Sequence, residues 1–153
     1  LLVTGKDLPA ENICDGKGTK ILVLTKEHYL ILCEQNKIAD MYDVSLGRGG
    51  VDKRDAGDLR TPIGEYKLGK SHASSDFHRF IPVGYPTPQQ VQAGYTGSDV
   101  GIHGPKRLIK CTGVLALKID WTAGCMAVAY DLYIDNIVSW MRKFKKNPSL
   151  EII

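Results

Sequence analysis

Three short apolar segments, separated by turn-forming residues, most constrain what this chain can fold into. They occupy residues 20–24, 29–34 and 38–46, and short polar stretches at 26–28 and 35–37 connect them. Each segment has the length of a β-strand and is short for a helix. Turn signals at this spacing are typical of a meander within an all-β sandwich or barrel. We therefore expect a mainly β fold.

Later in the chain we expect further strands and one substantial helix. Thr61-Pro62 forms a rigid corner, because proline forces extended backbone on the residue before it. Short strands are expected at 65–68, 100–104, 114–119 and 150–153. Between residues 130 and 144, apolar side chains recur near helical spacing, which predicts an amphipathic helix that stops before Asn147-Pro148.

Residues 70–98 are the least regular part of the chain, with three prolines, three glycines and four aromatic residues between Phe77 and Gly97. A long irregular segment in a compact domain usually serves as a binding loop or a lid. The aromatic content favours an ordered lid, with one helical turn near Pro88. Tyr85 and Tyr95 are its candidate substrate contacts. The charged residues 52–58 predict an exposed loop.

Chain length and net charge limit the number of domains and the kinds of partner that we expect. The 153 residues fit one domain, which we expect over residues 19–153 after an N-terminal lead-in at 1–18. A net charge of +3 predicts no nucleic-acid partner, since the one basic cluster, residues 142–146, fits a solvated helix face. No apolar run reaches the length of a membrane span. No signal segment is recognisable at Leu1-Leu2-Val3, as expected of a processed chain.

The four cysteines are Cys14, Cys33, Cys111 and Cys125. None forms a Cys-x-x-Cys pair, which argues against zinc-ribbon or thioredoxin chemistry. A zinc site built from His103, Cys111 and Cys125 matches no standard spacing, so no metal is expected. If Cys125 is a nucleophile, the other three either include one disulfide formed in an oxidising compartment or are all buried thiols.

Cys125 is the best candidate for a nucleophile, and His103 is the best candidate for its base. A thiol attacks acyl carbons as thiolate, and an imidazole within reach generates it by taking the proton. Gly124 allows a tight turn, so that nearby backbone N–H groups can point at a developing oxyanion. From these residues alone, a small buried cysteine and a satisfied core histidine are the favoured interpretation.

Three segments in order resemble one enzyme family. Residues 57–66 read Gly-Asp-x-x-Thr-Pro-x-Gly-x-Tyr, residues 102–104 read Ile-His-Gly, and residues 122–125 read Thr-Ala-Gly-Cys. Together they resemble the catalytic domain of the L,D-transpeptidases, also called the YkuD domain. The resemblance covers roughly residues 19–130, and the Asp-Trp-Thr-x-Gly-Cys form at 120–125 resembles a sub-branch of it.

The resemblance implies a β-sandwich of mixed sheets, with a catalytic cleft under the lid, over residues 19–153. It implies a cysteine that attacks the carbonyl between an L-centre and a D-centre in a peptidoglycan stem peptide. The thioacyl-enzyme releases D-Ala and is resolved by an amine of a neighbouring stem. Carbapenems acylate the same cysteine in this family. A bacterial periplasm or cell envelope, a monomeric state and no metal or organic cofactor are the corresponding expectations.

Carried over to this chain, the resemblance makes Cys125 the nucleophile, His103 the general base and Gly104 its orienting partner. The backbone around Thr122, Ala123 and Gly124 would form the oxyanion hole. Additional candidate substrate contacts are Trp121 and Arg107, while Thr61, Pro62 and Gly64 would shape the floor of the cleft.

The chain departs from the family at Ala127, where many members have an arginine. A planar guanidinium would hold a substrate carboxylate or carbonyl. Its replacement by alanine leaves Arg107, Lys106 or Arg79 as substitutes, or indicates a different substrate. It also raises an alternative in which water resolves the intermediate, giving an L,D-carboxypeptidase or L,D-endopeptidase. A non-catalytic cell-wall-binding module is the second alternative.

Overall fold

The computed structural model describes residues 12–107 and 119–153, and in them two mixed β-sheets carry most of the regular structure. The strands are β1 (Lys20–Leu24), β2 (Tyr29–Glu34), β3 (Lys37–Asp43), β4 (Gly64–Tyr66), β5 (His72–Ser74), β6 (His78–Pro82), β7 (Gly101–His103), β8 (Met126–Ala127) and β9 (Ser149–Ile152). The helices are α1 (Pro88–Gln92) and α2 (Asp131–Met141). The predicted lead-in up to residue 11 and most of the predicted strand at 114–119 lie outside the described residues.

The first sheet has the strand order β3-β2-β1-β9-β4. The predicted meander forms its first three strands, and each is antiparallel to the next. The closing strand β9 then inserts between β1 and β4, parallel to β1 and antiparallel to β4. The sheet is therefore completed by pairing between the two ends of the described chain.

Both faces of this sheet are buried in its centre, which explains why β1 and β2 read as continuous apolar runs. Ile21 and Val23 face the main core, whereas Leu22 and Leu24 belong to a second cluster on the opposite face. This alternation is the two-residue period of a strand. The second cluster also contains Cys14 and Cys33, which form a disulfide.

The second sheet has the strand order β5-β6-β7-β8, with β7 and β8 parallel. Two of its strands, β5 and β6, lie within the segment 70–98 that was expected to be irregular. Their sequences, His-Ala-Ser and His-Arg-Phe-Ile-Pro, are short and polar and carry little of the alternation that marks a strand. Pairing of β6 with β7 determines their conformation, so tertiary context overrides weak local preference.

The main core lies between the two sheets and helix α2. It joins Ile21 of the first sheet, Ile102 of the second and Ile134 of the helix in one buried cluster. The predicted late helix is confirmed. In the described part of the chain, no helix is long and apolar enough to cross a bilayer.

Candidate active site

The parallel pairing of β7 with β8 brings the two candidate catalytic residues together. His103 pairs with Ala127 in this register, so two residues earlier Cys125 stands opposite Gly101. Side chains two apart along a strand point to the same face. Cys125 and His103 therefore lie on one face of the sheet, on adjacent segments and at diagonally neighbouring positions.

His103 is buried, with 1% of its surface exposed. Its Nδ1 lies 2.7 Å from the Gly104 carbonyl oxygen, which can only accept a hydrogen bond. Nδ1 therefore carries the proton in the neutral ring, and Nε2 is left as the basic nitrogen. Burial lowers the pKa of His103 to about 4, against the opposing effect of the Gly104 hydrogen bond. The imidazole is thus a neutral base at neutral pH.

Aromatic rings hold the imidazole of His103 in place. Phe77 stacks on it with ring centroids 3.8 Å apart, and Trp121 lies 5.8 Å from it. The Phe77 carbonyl also accepts the Gly104 N–H at 3.2 Å. A Cβ atom at position 104 would lie 2.6 Å from that carbonyl oxygen, so glycine is required there. The sequence patterns did not identify Phe77, because its irregular segment offered no register to place it.

The thiol of Cys125 is half-buried, and its Sγ lies 3.4 Å from the Asp99 carbonyl oxygen. Burial raises the pKa of the thiol, while a hydrogen bond from the Gly101 backbone and the charge of Lys53 act in the opposite direction. The resting side chain is therefore a protonated thiol beside a neutral imidazole.

Two threonine hydroxyls organise the turn that precedes Cys125. Thr122 Oγ1 accepts the Gly124 N–H at 3.1 Å and donates to the Cys125 carbonyl at 2.7 Å. Thr61 Oγ1 donates to the Gly124 carbonyl and accepts the Gly47 N–H, both at 2.9 Å. Thr61 is fully buried. The Thr-Pro corner thus ties the cysteine turn to the end of the first meander.

Close backbone approach explains the glycine before the cysteine. Gly124 has φ +128°, in the region that favours glycine. A Cβ atom at this position would lie 2.6 Å from the Arg60 carbonyl oxygen. At the other end of the turn, the carboxylate of Asp120 accepts the Leu46 N–H at 2.9 Å and lies 3.0 Å from His28 Nε2.

The remaining candidate contacts lie in different surroundings. Tyr85 is 6% exposed, and its hydroxyl lies 3.0 Å from the Thr96 carbonyl. Tyr95 is half-buried beneath the guanidinium of Arg54, 5.3 Å from the ring centroid. Ala123 is exposed in the cysteine turn. Substrate contact by these residues stays a prediction.

The three cations considered as substitutes for the missing arginine are not equivalent. Arg107 pairs with Asp131 at 2.8 Å, and Arg79 pairs with Asp135 at 3.3 Å. Both carboxylates belong to helix α2, so Arg79 links the helix to β6 of the second sheet and Arg107 links it to the segment after β7. Lys106 is exposed.

A fourth cation, Lys53, was missed by the sequence patterns, which predicted an exposed loop at 52–58. Most of that loop is exposed, but the Lys53 side chain is only 4% exposed and pairs with Asp58 at 2.8 Å. Its charge acts on the thiol of Cys125. The only sequence signal for it is an acidic residue five positions later, which is too common to be diagnostic.

Fold and site together define a β-sandwich domain with a thiol and a neutral imidazole on adjacent segments. The chain belongs to the YkuD family, the L,D-transpeptidase catalytic domain, whose family model matches residues 18–146. This confirms the family and the fold class predicted from the motifs. No curated protein matched the chain.

Solved structures agree with this fold. The helical cell shape determining protein Pgp2 from Campylobacter jejuni is 20% identical with a TM-score of 0.73, covering 88% of this chain and 47% of that chain. Bd1075 from Bdellovibrio bacteriovorus is 20% identical with a TM-score of 0.64, at 88% and 47% coverage. The L,D-transpeptidase LdtMt1, solved in complex with imipenem, is 14% identical with a TM-score of 0.52, at 89% and 59% coverage. The chain thus spans about half the length of the first two.

Proposed function

We propose that this chain catalyses acyl transfer on peptidoglycan stem peptides, with Cys125 as nucleophile and His103 as general base. The observation that carries this proposal is the placement of both side chains on one face of the β7–β8 pair, with Nδ1 of His103 bound to the Gly104 carbonyl. That bond selects the tautomer whose Nε2 can take a proton. Membership of the L,D-transpeptidase family supports the substrate class.

In the proposed reaction, the proton moves from Cys125 to His103 as the thiol attacks. Burial raises the pKa of the thiol and lowers that of the imidazole, so an ion pair is unfavourable in the resting site. The sulfur bonds to the carbonyl carbon between the L-centre and the D-centre. The imidazolium then returns the proton to the departing D-Ala nitrogen, and a thioacyl-enzyme remains.

Backbone N–H groups of the cysteine turn would stabilise the oxyanion. The Gly124 N–H is engaged by Thr122, so we assign it to holding the turn and assign the Cys125 N–H to the acyl oxygen. Gly104 orients the base through its carbonyl oxygen.

A second candidate function differs only in the acceptor. Ala127 is buried in β8 on the same face of the sheet as Cys125 and His103, where an arginine side chain would have to displace the residues packed around it. A site without that cation holds the acyl donor differently from most family members. Water as acceptor would make the enzyme an L,D-carboxypeptidase or L,D-endopeptidase.

We place this activity in the bacterial periplasm or cell envelope and assign it to the domain at residues 19–153. The Cys14–Cys33 disulfide supports this placement, because disulfides persist in oxidising compartments. The chain spans about half of the length of these relatives, so the activity of the whole protein is part of the same proposal.

Acylation by imipenem tests the nucleophile. We expect one drug-sized mass increase on the intact protein, located at Cys125 by peptide mapping, and none on a folded Cys125→Ala variant. LdtMt1 was solved with this compound, which makes it a suitable probe. A folded wild-type chain that forms no adduct would count against the proposal.

Incubation with a tetrapeptide muropeptide separates the two candidate functions. A crosslinked product larger than the substrate supports transfer to an amine. Tripeptide and free D-Ala alone support hydrolysis. Absence of both products, with a folded protein and an intact thiol, would argue for the non-catalytic binding module.

A further inference from the structure

Lys53 is a buried cation that the proposed mechanism does not use. Its ammonium donates to Asp58 Oδ1 at 2.8 Å and to the Asp55 carbonyl at 3.1 Å. A lysine in a surface loop normally extends its charge into water, because burying a charge is costly unless it is paired. The position of this side chain therefore needs a structural or functional reason.

The partner carboxylate is held in its ionised form. Asp58 accepts hydrogen bonds from the backbone N–H groups of Arg54 at 2.9 Å, Asp55 at 3.0 Å and Arg60 at 3.1 Å. Burial would raise the pKa of Asp58, but Lys53 and these N–H groups keep it well below its usual range. Asp58 therefore stays ionised throughout the physiological pH range.

The end of the lid packs directly on Lys53. Gly97 has φ +112°, and a Cβ atom there would lie 2.9 Å from Lys53 Cε. The neighbouring Thr96 N–H donates to the Arg54 carbonyl at 2.9 Å, and Thr96 Oγ1 accepts the Ala56 N–H at 2.9 Å. The loop and this part of the lid therefore form one packed unit around the ammonium.

This unit is connected to the thiol of Cys125 through the next residues of the chain. Asp99 follows Gly97 by two residues, and its carbonyl oxygen contacts Cys125 Sγ at 3.4 Å. The Lys53 charge lowers the pKa of Cys125, whereas burial, the largest influence, and Asp99 raise it. Position 127, where many family members have a cation, holds a buried alanine.

We propose that Lys53 is a positioning residue for Cys125. Held by Asp58 beneath Gly97, its ammonium fixes the backbone at Asp99 against the thiol and supplies the positive charge that favours thiolate during attack. This inference rests on the proposed function, in which Cys125 is the nucleophile. Direct binding of substrate by Lys53 is not part of it, because the side chain is 4% exposed and engaged by two oxygens.

The rate at which iodoacetamide alkylates Cys125, measured across pH on the intact chain, tests the inference. Lys53→Met removes the charge at similar volume, Lys53→Arg keeps it, and Asp58→Asn leaves the lysine uncompensated. The exposed Lys26 supplies the matched control, Lys26→Met. Peptide mapping assigns the label to Cys125, and near-UV circular dichroism establishes that each variant is folded.

We expect the alkylation midpoint to rise in Lys53→Met, because the positive charge of Lys53 favours the ionised form of the thiol. It should fall in Asp58→Asn, stay near wild type in Lys53→Arg and be unchanged in Lys26→Met. If Lys53 had only a structural role, the two substitutions Lys53→Met and Asp58→Asn would shift the alkylation midpoint in the same direction or leave it unchanged. Either result overturns the inference. If Lys53→Met does not fold, the direction in which Asp58→Asn shifts the alkylation midpoint decides whether the inference holds.

The imipenem experiment keeps the two proposals separate. If Lys53→Met and Asp58→Asn shift the alkylation midpoint in opposite directions but wild type forms no acyl adduct, the role of Lys53 is supported and acyl transfer is rejected. An adduct on wild type with no response of the alkylation midpoint to either substitution would support acyl transfer and reject Lys53.

Discussion

At the scale of single residues, His103 illustrates how burial and one carbonyl oxygen turn a histidine into a base. The ring is sealed by Phe77 and by the second sheet, so its charged form is disfavoured. The Gly104 carbonyl then determines which nitrogen is basic. Neither effect depends on a carboxylate partner.

The lowered pKa of His103 makes folding stability depend on pH. The unfolded chain binds a proton near pH 6.5, whereas the folded chain binds it near pH 4. The contribution of His103 to the free energy of unfolding is therefore fully present above pH 6.5 and is lost as the pH falls towards 4. The loss amounts to at most about 3 kcal/mol.

Urea unfolding at several pH values checks this. Wild type should lose more stability across that window than His103→Gln, which has no titrating ring. Parallel pH dependence in the two proteins would contradict a depressed histidine pKa.

Removing the Thr61 hydroxyl should destabilise the chain and slow acylation of Cys125. Thr61→Val keeps the shape but leaves the Gly47 N–H and the Gly124 carbonyl without this partner. We expect a loss of about 3 kcal/mol in the free energy of unfolding. Thr61→Ser keeps the hydroxyl and should lose about 1 kcal/mol, as expected for a buried methyl group. Chemical denaturation gives both values, and equal losses would show that the hydroxyl is unimportant.

At the scale of elements, the parallel β7–β8 pair is the unit that builds the site. β8 has only two residues, and its position depends on the turn before it and on the bridge between Ser45 and Ala127. A short strand held from both sides can place a cysteine reproducibly, although the strand by itself would have little stability.

Gly124→Ala should disturb this unit. The substitution combines a φ of +128° with a contact of 2.6 Å to the Arg60 carbonyl oxygen. Gly94→Ala is the matched control, because Gly94 has φ +92° but no heavy atom near its added Cβ. Backbone strain alone costs about 1–3 kcal/mol, so Gly124→Ala should exceed the control in thermal destabilisation and in loss of imipenem acylation. Similar effects of both changes would rule out the close approach as the cause.

At the scale of the whole molecule, two sheets meet in one core, and a disulfide anchors the chain on the outer face of the first sheet. Cys14 and Cys33 are both fully buried in the smaller cluster. Their separation of 19 residues closes a loop from the lead-in to β2.

Reduction of this disulfide should lower the melting temperature. A crosslink closing a loop of this size is worth about 3 kcal/mol. The double variant Cys14→Ala, Cys33→Ala should match the reduced wild type and should not respond to reductant. If reductant does not change the melting temperature of wild type, the disulfide is not stabilising.

The local sequence pattern by itself determined two strands, the late helix and the family of this protein. The predicted bounds of β1 and β2 agree with the structure, because each run is apolar and ends in turn residues. Helix α2 was recognisable from its spacing of buried side chains. The motifs around Thr61, His103 and Cys125 identified the family, because glycine, proline and the reactive residues are required there whatever surrounds them.

Only the tertiary structure decided the rest. β5 and β6 are strands because β7 lies beside them, and Cys14 has Cys33 as its partner because β2 brings that residue to the lead-in. Lys53 is buried because Asp58 and the lid close around it. Each of these depends on segments that are distant in the chain. Contacts of that kind depend on how the sheets assemble, and no local period in the sequence encodes them.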